Sequence, residues 1–365
     1  MAVNADIPRS SFWAVEAWRG LAALMVLWAH WGPPLHWPMG PMTFAFTGVD
    51  LFFVLSGFVF APVVMAGHPP ALKAYVIRRI ARIYPAYLIA LALYAWLAWH
   101  AGKPLLYLPE HLLMAQMQSR EMVFYYNPVF WSLPSEVAFY AAIPFLAWWL
   151  GKNGSVRWPW VFILALILRL ILIYPADGST QNLAYIFLHH LPGLLIEFLL
   201  GIVVWQCSQR PAPTRYIWLS WLTSLLGWLV LAAIFIKMER LSGGSYWKNG
   251  QLGLIAAVFF ALALWGSVAL PSPSPGSKLW LYGVWSGKLS YAVYLLHIAW
   301  LKPAQALVNA WGMLAGSALA LTGLGLSCWL MHMLVEEPAR TMGRRLGNRM
   351  QARRQWTQST SDNNL

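Results

Sequence analysis

A chain of 365 residues that is 59% hydrophobic and only 10% charged carries far more apolar side chain than a soluble domain of this size can hide. At about 20 apolar residues per crossing, that stock is enough for about ten membrane-spanning helices, with little left for a separate soluble domain. A formal net charge of +13 does not point to nucleic acid, because the basic residues are scattered through apolar sequence and form no basic-aromatic module.

Apolar stretches of spanning length predict helices at about 12–31, 44–66, 84–100, 131–150, 158–175, 183–205, 216–236, 250–270, 281–301 and 313–335. The fold class is therefore all-α, a polytopic membrane protein. The first stretch is too long for a signal-peptide core and carries Arg19 inside it, so it is expected to stay attached. Short Pro/Gly/Ser-rich loops such as 271–277 and 241–250 separate the spans, and no internal repeat is present. This reading divides the chain into an N-terminal segment 1–11, one membrane domain 12–340 and a basic tail 341–365. Cys207 and Cys328 lie in or beside apolar segments and make no disulfide framework.

An even number of crossings places both termini on one side, and the lysines and arginines choose it. Arg9, Arg19, Lys73, Arg78, Arg79, Arg82, Lys152, Arg157, Arg210, Arg215, Lys278 and the tail arginines from Arg340 on fall in one set. The other set holds only Lys103, Arg120, Lys237, Arg240, Lys248 and Lys302. The positive-inside rule then makes both termini cytoplasmic. Trp13, Trp158, Trp218 and Trp280 flank segment ends, as interfacial anchors do.

Polar groups inside spans are costly and face the bundle interior, so they are the default functional candidates. Arg19 and His30 are eleven residues apart on the first segment, about three turns and roughly 16 Å along one helix face. This puts a cation near the inner surface and an imidazole near mid-membrane. In GVDLFFVLSGF (48–58), Asp50 lies at a depth close to that of His30 and could orient it; alternatively it caps the helix start while Gly48, Ser56 and Gly57 allow close packing. In KAYVIRRIARIYP (73–85), Arg79 and Arg82 stand three apart on one face. Paired guanidinium groups suit phosphates, but they also suit a positive-inside anchor.

NPVFWSLPSEVAFY (127–140) places Ser132 before a helix that Pro134 can begin, with Glu136 one turn in. Glu136 could be a general base, a partner of an acceptor hydroxyl or a helix N-terminal charge. In GKLSYAVYLLH (287–297), Tyr291, Tyr294 and His297 could line the same cavity and touch substrate. VEEPAR (335–340) reads as structural, with Pro338 stopping the helix and Glu336 pairing with an arginine. Arg169, buried by sequence in LALILRLILI, needs a partner, and Glu197 on the next span lies within about one turn of the same depth, which predicts an ion pair. His189 and His190 have no Cys or carboxylate at ligand spacing, so no metal site is expected.

Together these motifs resemble one family, the acyltransferase-3 family of integral membrane acyltransferases, over about residues 12–340. The likeness rests on Arg19 with ten residues before His30, GVDLFFVLSGF, RRIARIYP, WSLPSEVAFY, LSYAVYLLH and the terminal EEP, in the family's order. The resemblance implies transfer of an acyl group, most often acetyl, from cytoplasmic acetyl-CoA or another acyl-CoA to a hydroxyl of an exopolysaccharide, O-antigen or lipid-linked glycan. His30 matches the family's essential histidine, Arg79 and Arg82 its paired arginines thought to bind the CoA phosphates, and Arg19 the basic residue of the first-helix motif. Asp50 is the first choice for the acid that orients His30, and Glu136 the second. The expected location is a bacterial-type cytoplasmic (inner) membrane. The expected partners are membrane lipids, a glycan acceptor and glycan-assembly proteins, with no metal cofactor. A secondary transporter would also carry intramembrane charges, but it would often show symmetry between halves. A non-enzymatic scaffold for glycan assembly would not need the His30 and arginine constellation.

Overall fold

The computed structural model describes residues 9–151, 154–173, 183–242 and 246–362, and the side chains of 12–151, 157–172, 186–239 and 251–352. Lys152 and the side chains of Arg9, Arg240, Lys248, Arg353 and Arg354, invoked above for orientation, lie outside these, as do the side chains of the 241–250 loop and residues 363–365 of the tail. Among the described residues the secondary structure is helical and contains no strand.

In chain order, α1 (Arg9–Trp31) leads through a 3-10 helix at Gly40–Thr47 into α2 (Gly48–Val64) and then α3 (Leu72–His100). The connection expected at 101–128 carries two short helices, α4 (Leu108–Leu112) and α5 (Arg120–Val123), and ends in a 3-10 turn at Pro128–Trp131. Then follow α6 (Ser132–Leu150), α7 (Gly154–Ile173), α8 (Leu183–Leu188), α9 (Leu191–Ser208), α10 (Thr214–Ser242), α11 (Tyr246–Val268) and α12 (Lys278–Leu296). The chain closes with α13 (Leu301–Met331), a π turn at His332–Glu336 and α14 (Glu337–Asp362).

Eight segments among the described residues are long and apolar enough to cross a membrane, and the chain is an integral membrane protein. The expected spans at 158–175 and 281–301 correspond to α7 and α12; α12 is the more polar of the pair, with Lys278 and Lys288 in its sequence.

Lipid offers no hydrophobic drive for helices to associate, so close backbone approach and van der Waals contact hold the bundle. The α2–α9 crossing shows this most directly. A Cβ at Gly57 would overlap the Phe198 backbone, and one at Gly201 would overlap the carbonyl of Val54. Beside this crossing Phe139 of α6 stacks on Phe198, centroids 4.0 Å apart at 19°. The α1–α12 crossing uses the same device, with Gly287 against the backbone of Glu16. Gly48 at the start of α2 packs in turn on Ala22 and Val26 of α1, so α1, α2 and α12 lie together, and the candidate site is lined by them, α3 and α6.

Two expectations about helix ends are corrected. Pro338 does not stop the last span. The amide of Glu337 bonds the carbonyl of His332, a π-type bond five residues back, and helical structure continues through Pro338 to Asp362. A proline lacks the amide that an α turn would use and collides with the carbonyl four residues before it; the wider π turn absorbs both effects. The helix after the 3-10 turn begins at Ser132, with Trp131 as its N-cap, so Pro134 is already inside the first turn. Within α13, Gly312 at φ 77°, ψ 166° breaks the helix into two pieces; that conformation is open essentially to glycine alone. The break falls just before the expected start of the last span at 313.

Candidate active site

The three arginines singled out from the sequence converge. Arg19 of α1 and Arg79 and Arg82 of α3 line one open cavity of about 820 Å³, counted to its mouth, together with Ser56, Ser132, Glu136, Tyr140, Tyr291 and Tyr294. Arg79 and Arg82 come to the same cavity because they are three residues apart on a helix. Arg78, one residue from Arg79, faces away and donates to Asn348 Oδ1 and Gln351 Oε1 of α14, both at 2.8 Å. It tethers the last helix and takes no part in the cavity.

Arg79 sits in an aromatic cage. Its guanidinium lies 5.0 Å from the ring centroid of Phe60, 5.7 Å from Tyr140 and 5.9 Å from Tyr75, which holds a cation without neutralising it. Arg19 pairs with Glu16 at 3.6 Å. Arg82 is within electrostatic reach of Glu16, Glu136 and Glu336. Arg340 of α14 is within reach of Arg82 and Arg19. A tail helix thus contributes a fourth cation to the group, which the sequence reading assigned to orientation alone.

Glu136 belongs to this cavity. Its Oε1 accepts a short hydrogen bond from the Tyr140 hydroxyl and a longer one, 3.4 Å, from Ser56 Oγ. Tyr140 went unnoticed in the sequence, although its i,i+4 spacing from Glu136 was the available signal. Ser132 Oγ and the Tyr294 hydroxyl are 2.6 Å apart, and Tyr294 donates on to the carbonyl of Val129 at 2.9 Å. Tyr291 donates to the carbonyl of Ile83 at 3.0 Å, which ties α12 to α3.

His30 occupies the last turn of α1 and Arg19 its middle. His30 is not among the residues lining the cavity; Tyr294 lines it, and the Tyr294 ring lies 6.3 Å from His297. His30 Nδ1 contacts the Val26 carbonyl at 2.8 Å and His297 Nε2 at 3.3 Å. The expectation that an acid orients His30 is therefore corrected. Neither Asp50 nor Glu136 is a hydrogen-bond partner of the imidazole; the partner is a second histidine, His297 of the α12 C-terminus, which is fully buried.

Asp50 is engaged elsewhere. Its carboxyl faces that of Glu197 and lies within reach of Arg169, packed so closely on α11 that a Cβ at Gly253 would come within 2.7 Å of it. The expected Arg169–Glu197 ion pair forms at 3.4 Å, with both side chains buried. Arg169 Nη1 also donates to the carbonyls of Gly193 and Leu188 at 3.0 and 3.3 Å, at the break between α8 and α9. His190 caps α9 there, its Nδ1 accepting from the Leu191 amide at 2.7 Å, while the His189 ring lies 5.9 Å from that of Trp131. Asp50, Arg169, Arg120, Ser119, Trp131 and His189 line a second cavity of about 970 Å³. Glu336 pairs with His332 at 3.4 Å rather than in direct contact with an arginine, their i,i+4 spacing placing the two on one helix face.

Against known proteins, the family described as "Acyltransferase domain", acyltransferase-3, matches residues 12–332. A protein of Komagataeibacter xylinus named "Putative membrane-bound transacylase BcsY" is 28% identical over 232 residues, covering 58% of this chain and 55% of that protein. The chain thus spans about half the length of that relative. No solved structure matches.

Proposed function

The chain belongs to the acyltransferase-3 family, and from that premise we propose that this membrane acyltransferase moves an acyl group, acetyl first, from cytoplasmic acyl-CoA to a hydroxyl of a cell-surface or lipid-linked glycan. The observation that carries the reading is the convergence of Arg19, Arg79 and Arg82 on one cavity whose wall at Tyr294 adjoins the His30–His297 pair. Adenosine phosphates would sit against the guanidinium groups, which form charge-assisted and bidentate hydrogen bonds to phosphate oxygens. Glu16 pairs with Arg19, and Glu16 and Glu136 both lie within electrostatic reach of Arg82. The pantetheine arm would then run along α1 toward His30, a distance of roughly 16 Å from Arg19.

The acceptor would approach from the side of the 101–128 connection. There the second cavity offers what a sugar uses, an aromatic face in Trp131 and charged hydrogen-bonding groups in Asp50 and Arg120. In the transfer step, His30 takes the proton of the acceptor hydroxyl as its oxygen attacks the thioester carbonyl. The carbon–sulfur bond then breaks, and the CoA thiolate recovers that proton from His30. General-base assistance of this kind contributes about 10²- to 10⁴-fold.

The test is purified protein in detergent with acetyl-CoA labelled in the acetyl group. Label should pass to a glycan acceptor or to water in the native protein, and His30→Gln should lose this transfer. Glycan acetylation in cells that is unchanged by His30→Gln would overturn the assignment.

A further inference from the structure

The two rings at the C-terminal ends of α1 and α12 each have one nitrogen whose role is dictated by a carbonyl. His30 Nδ1 faces the carbonyl of Val26 at 2.8 Å and His297 Nδ1 faces the carbonyl of Val293 at 2.9 Å. A carbonyl oxygen only accepts, so both Nδ1 atoms carry hydrogen. His297 Nε2 lies 3.3 Å from His30 Nδ1. Since that Nδ1 already bears a hydrogen, His297 Nε2 must present its lone pair; a second N–H there would set two donors against each other. His30 Nδ1–H is thus shared between two acceptors, and the lone pair of the neutral His30 ring is left on Nε2.

We infer that His297 is a positioning residue for His30: its Nε2 accepts from His30 Nδ1–H beside the Val26 carbonyl, helps hold the ring in the tautomer that leaves Nε2 as the base, and stabilises the imidazolium that forms when that base takes a proton. The inference rests on the reading of His30 as the proton acceptor. It assigns to a neutral imidazole the place that a carboxylate holds in Ser-His-Asp sites. A neutral acceptor suits this location, because a buried carboxylate would need a compensating charge, whereas an imidazole needs only its hydrogen bonds.

The surroundings are built to keep His297 still. The Trp31 indole donates to its carbonyl at 2.8 Å, tying the end of α1 to the end of α12. One residue pair earlier, the Leu295 carbonyl accepts from the Tyr94 hydroxyl at 2.9 Å and from Asn127 Nδ2 at 3.3 Å, and the Tyr94 oxygen accepts from the Ala299 amide at 3.0 Å. The His30 and His297 rings meet at a centroid distance of 5.1 Å and an interplanar angle of 53°, a tilted approach that brings the two ring nitrogens within hydrogen-bond distance.

The first measurement reads the pairing without any turnover. In protein with 15N-labelled histidine, long-range 15N–1H spectra distinguish protonated from lone-pair ring nitrogens, and the His30 and His297 signals are identified by their loss in His30→Gln and His297→Leu. The native spectrum should show both rings protonated at Nδ1 only; a protonated Nε2 on His297 would overturn the inference. The second measurement compares acetyl-CoA turnover. His297→Leu should lower kcat by roughly 100-fold with KM for acetyl-CoA within about twofold, the signature of a loss confined to the transition state. His297→Gln, which keeps an acceptor oxygen, should recover at least about tenfold of that loss. Unchanged kcat in His297→Leu, or a rise in KM with kcat retained, would sink the positioning role. If the native protein turned over no acyl-CoA, the proposed function would fail, and the spectrum would still decide the pairing.

Discussion

Arg169 and Glu197 form a buried ion pair at 3.4 Å, and Asp50 stands beside them as a second acid within reach of the same guanidinium. Two acids around one base make the three residues unequal. Removing one partner of a buried pair leaves an uncompensated charge, at about 3–5 kcal/mol. Arg169→Met strands both acids and should incur a loss of that size. Glu197→Gln leaves Asp50 to serve Arg169 and should cost less than half as much. Thermal midpoints of the two variants in detergent give the comparison, and equal losses would mean that Asp50 does not share the guanidinium.

The cavity arginines divide by the part of the donor they would touch. A charge-assisted hydrogen bond contributes about 1.5–3 kcal/mol, so Arg79→Gln and Arg82→Gln should each raise KM for acetyl-CoA about tenfold or more. Acetyl-pantetheine, which has no adenosine phosphates, should be used equally well by native protein and variants. Arg78→Gln is the control. It loses the two hydrogen bonds to α14 and should lower the thermal midpoint while leaving the discrimination between the two donors intact. Equal impairment with both donors in Arg79→Gln would argue against a phosphate contact.

Close helix crossings can be separated from incidental glycines in the same way. Gly57 and Gly201 meet backbone across α2–α9, and backbone cannot rotate aside as a side chain can. Gly201→Val should therefore push α9 off α2, at about 1–3 kcal/mol or more for forced overpacking. Gly325→Ala, which meets nothing within 4 Å, should leave stability and activity unchanged. Folded yield and thermal midpoint after purification measure both.

The parts of this protein that were legible in its sequence are those that lipid dictates. Spans follow from hydropathy because backbone and polar groups have no other partner in a bilayer, and Arg169 found Glu197 because a charge in LALILRLILI must meet another at its own depth. Depth, however, leaves rotation about the helix axis open. Asp50 was expected at the depth of His30, yet it turns toward Glu197 and Arg169, while His30 meets His297 from a helix 267 residues away. Spacing within one helix does fix rotation, and so Arg79 and Arg82 reached one cavity together. Arg340 was beyond such reasoning, since Pro338 reads as a stop until the π turn at His332–Glu336 carries the helix past it.

His111, in α4 of the connection between α3 and α6 and outside the spans, gives a pH test. Its side chain is fully buried, its Nδ1 lies 2.9 Å from the carbonyl of Tyr107, its Nε2 is buried without a hydrogen-bond partner, and its ring stands edge-on to Tyr126. Burial holds its pKa below the usual histidine value. The folded form thus prefers the neutral ring, whereas the unfolded chain takes up a proton near pH 6.5. Stability from this group is complete above that pH and is lost as pH falls below it, because the unfolded state then binds more protons. The thermal midpoint should drop between about pH 7 and pH 5, and His111→Phe, which keeps the aromatic contact and cannot titrate, should flatten that slope. Because the Tyr87 hydroxyl donates to the backbone carbonyl of residue 111 at 2.7 Å, the substitution leaves the tie between α3 and α4 in place, so an unchanged slope would show that the buried ring is not the titrating group.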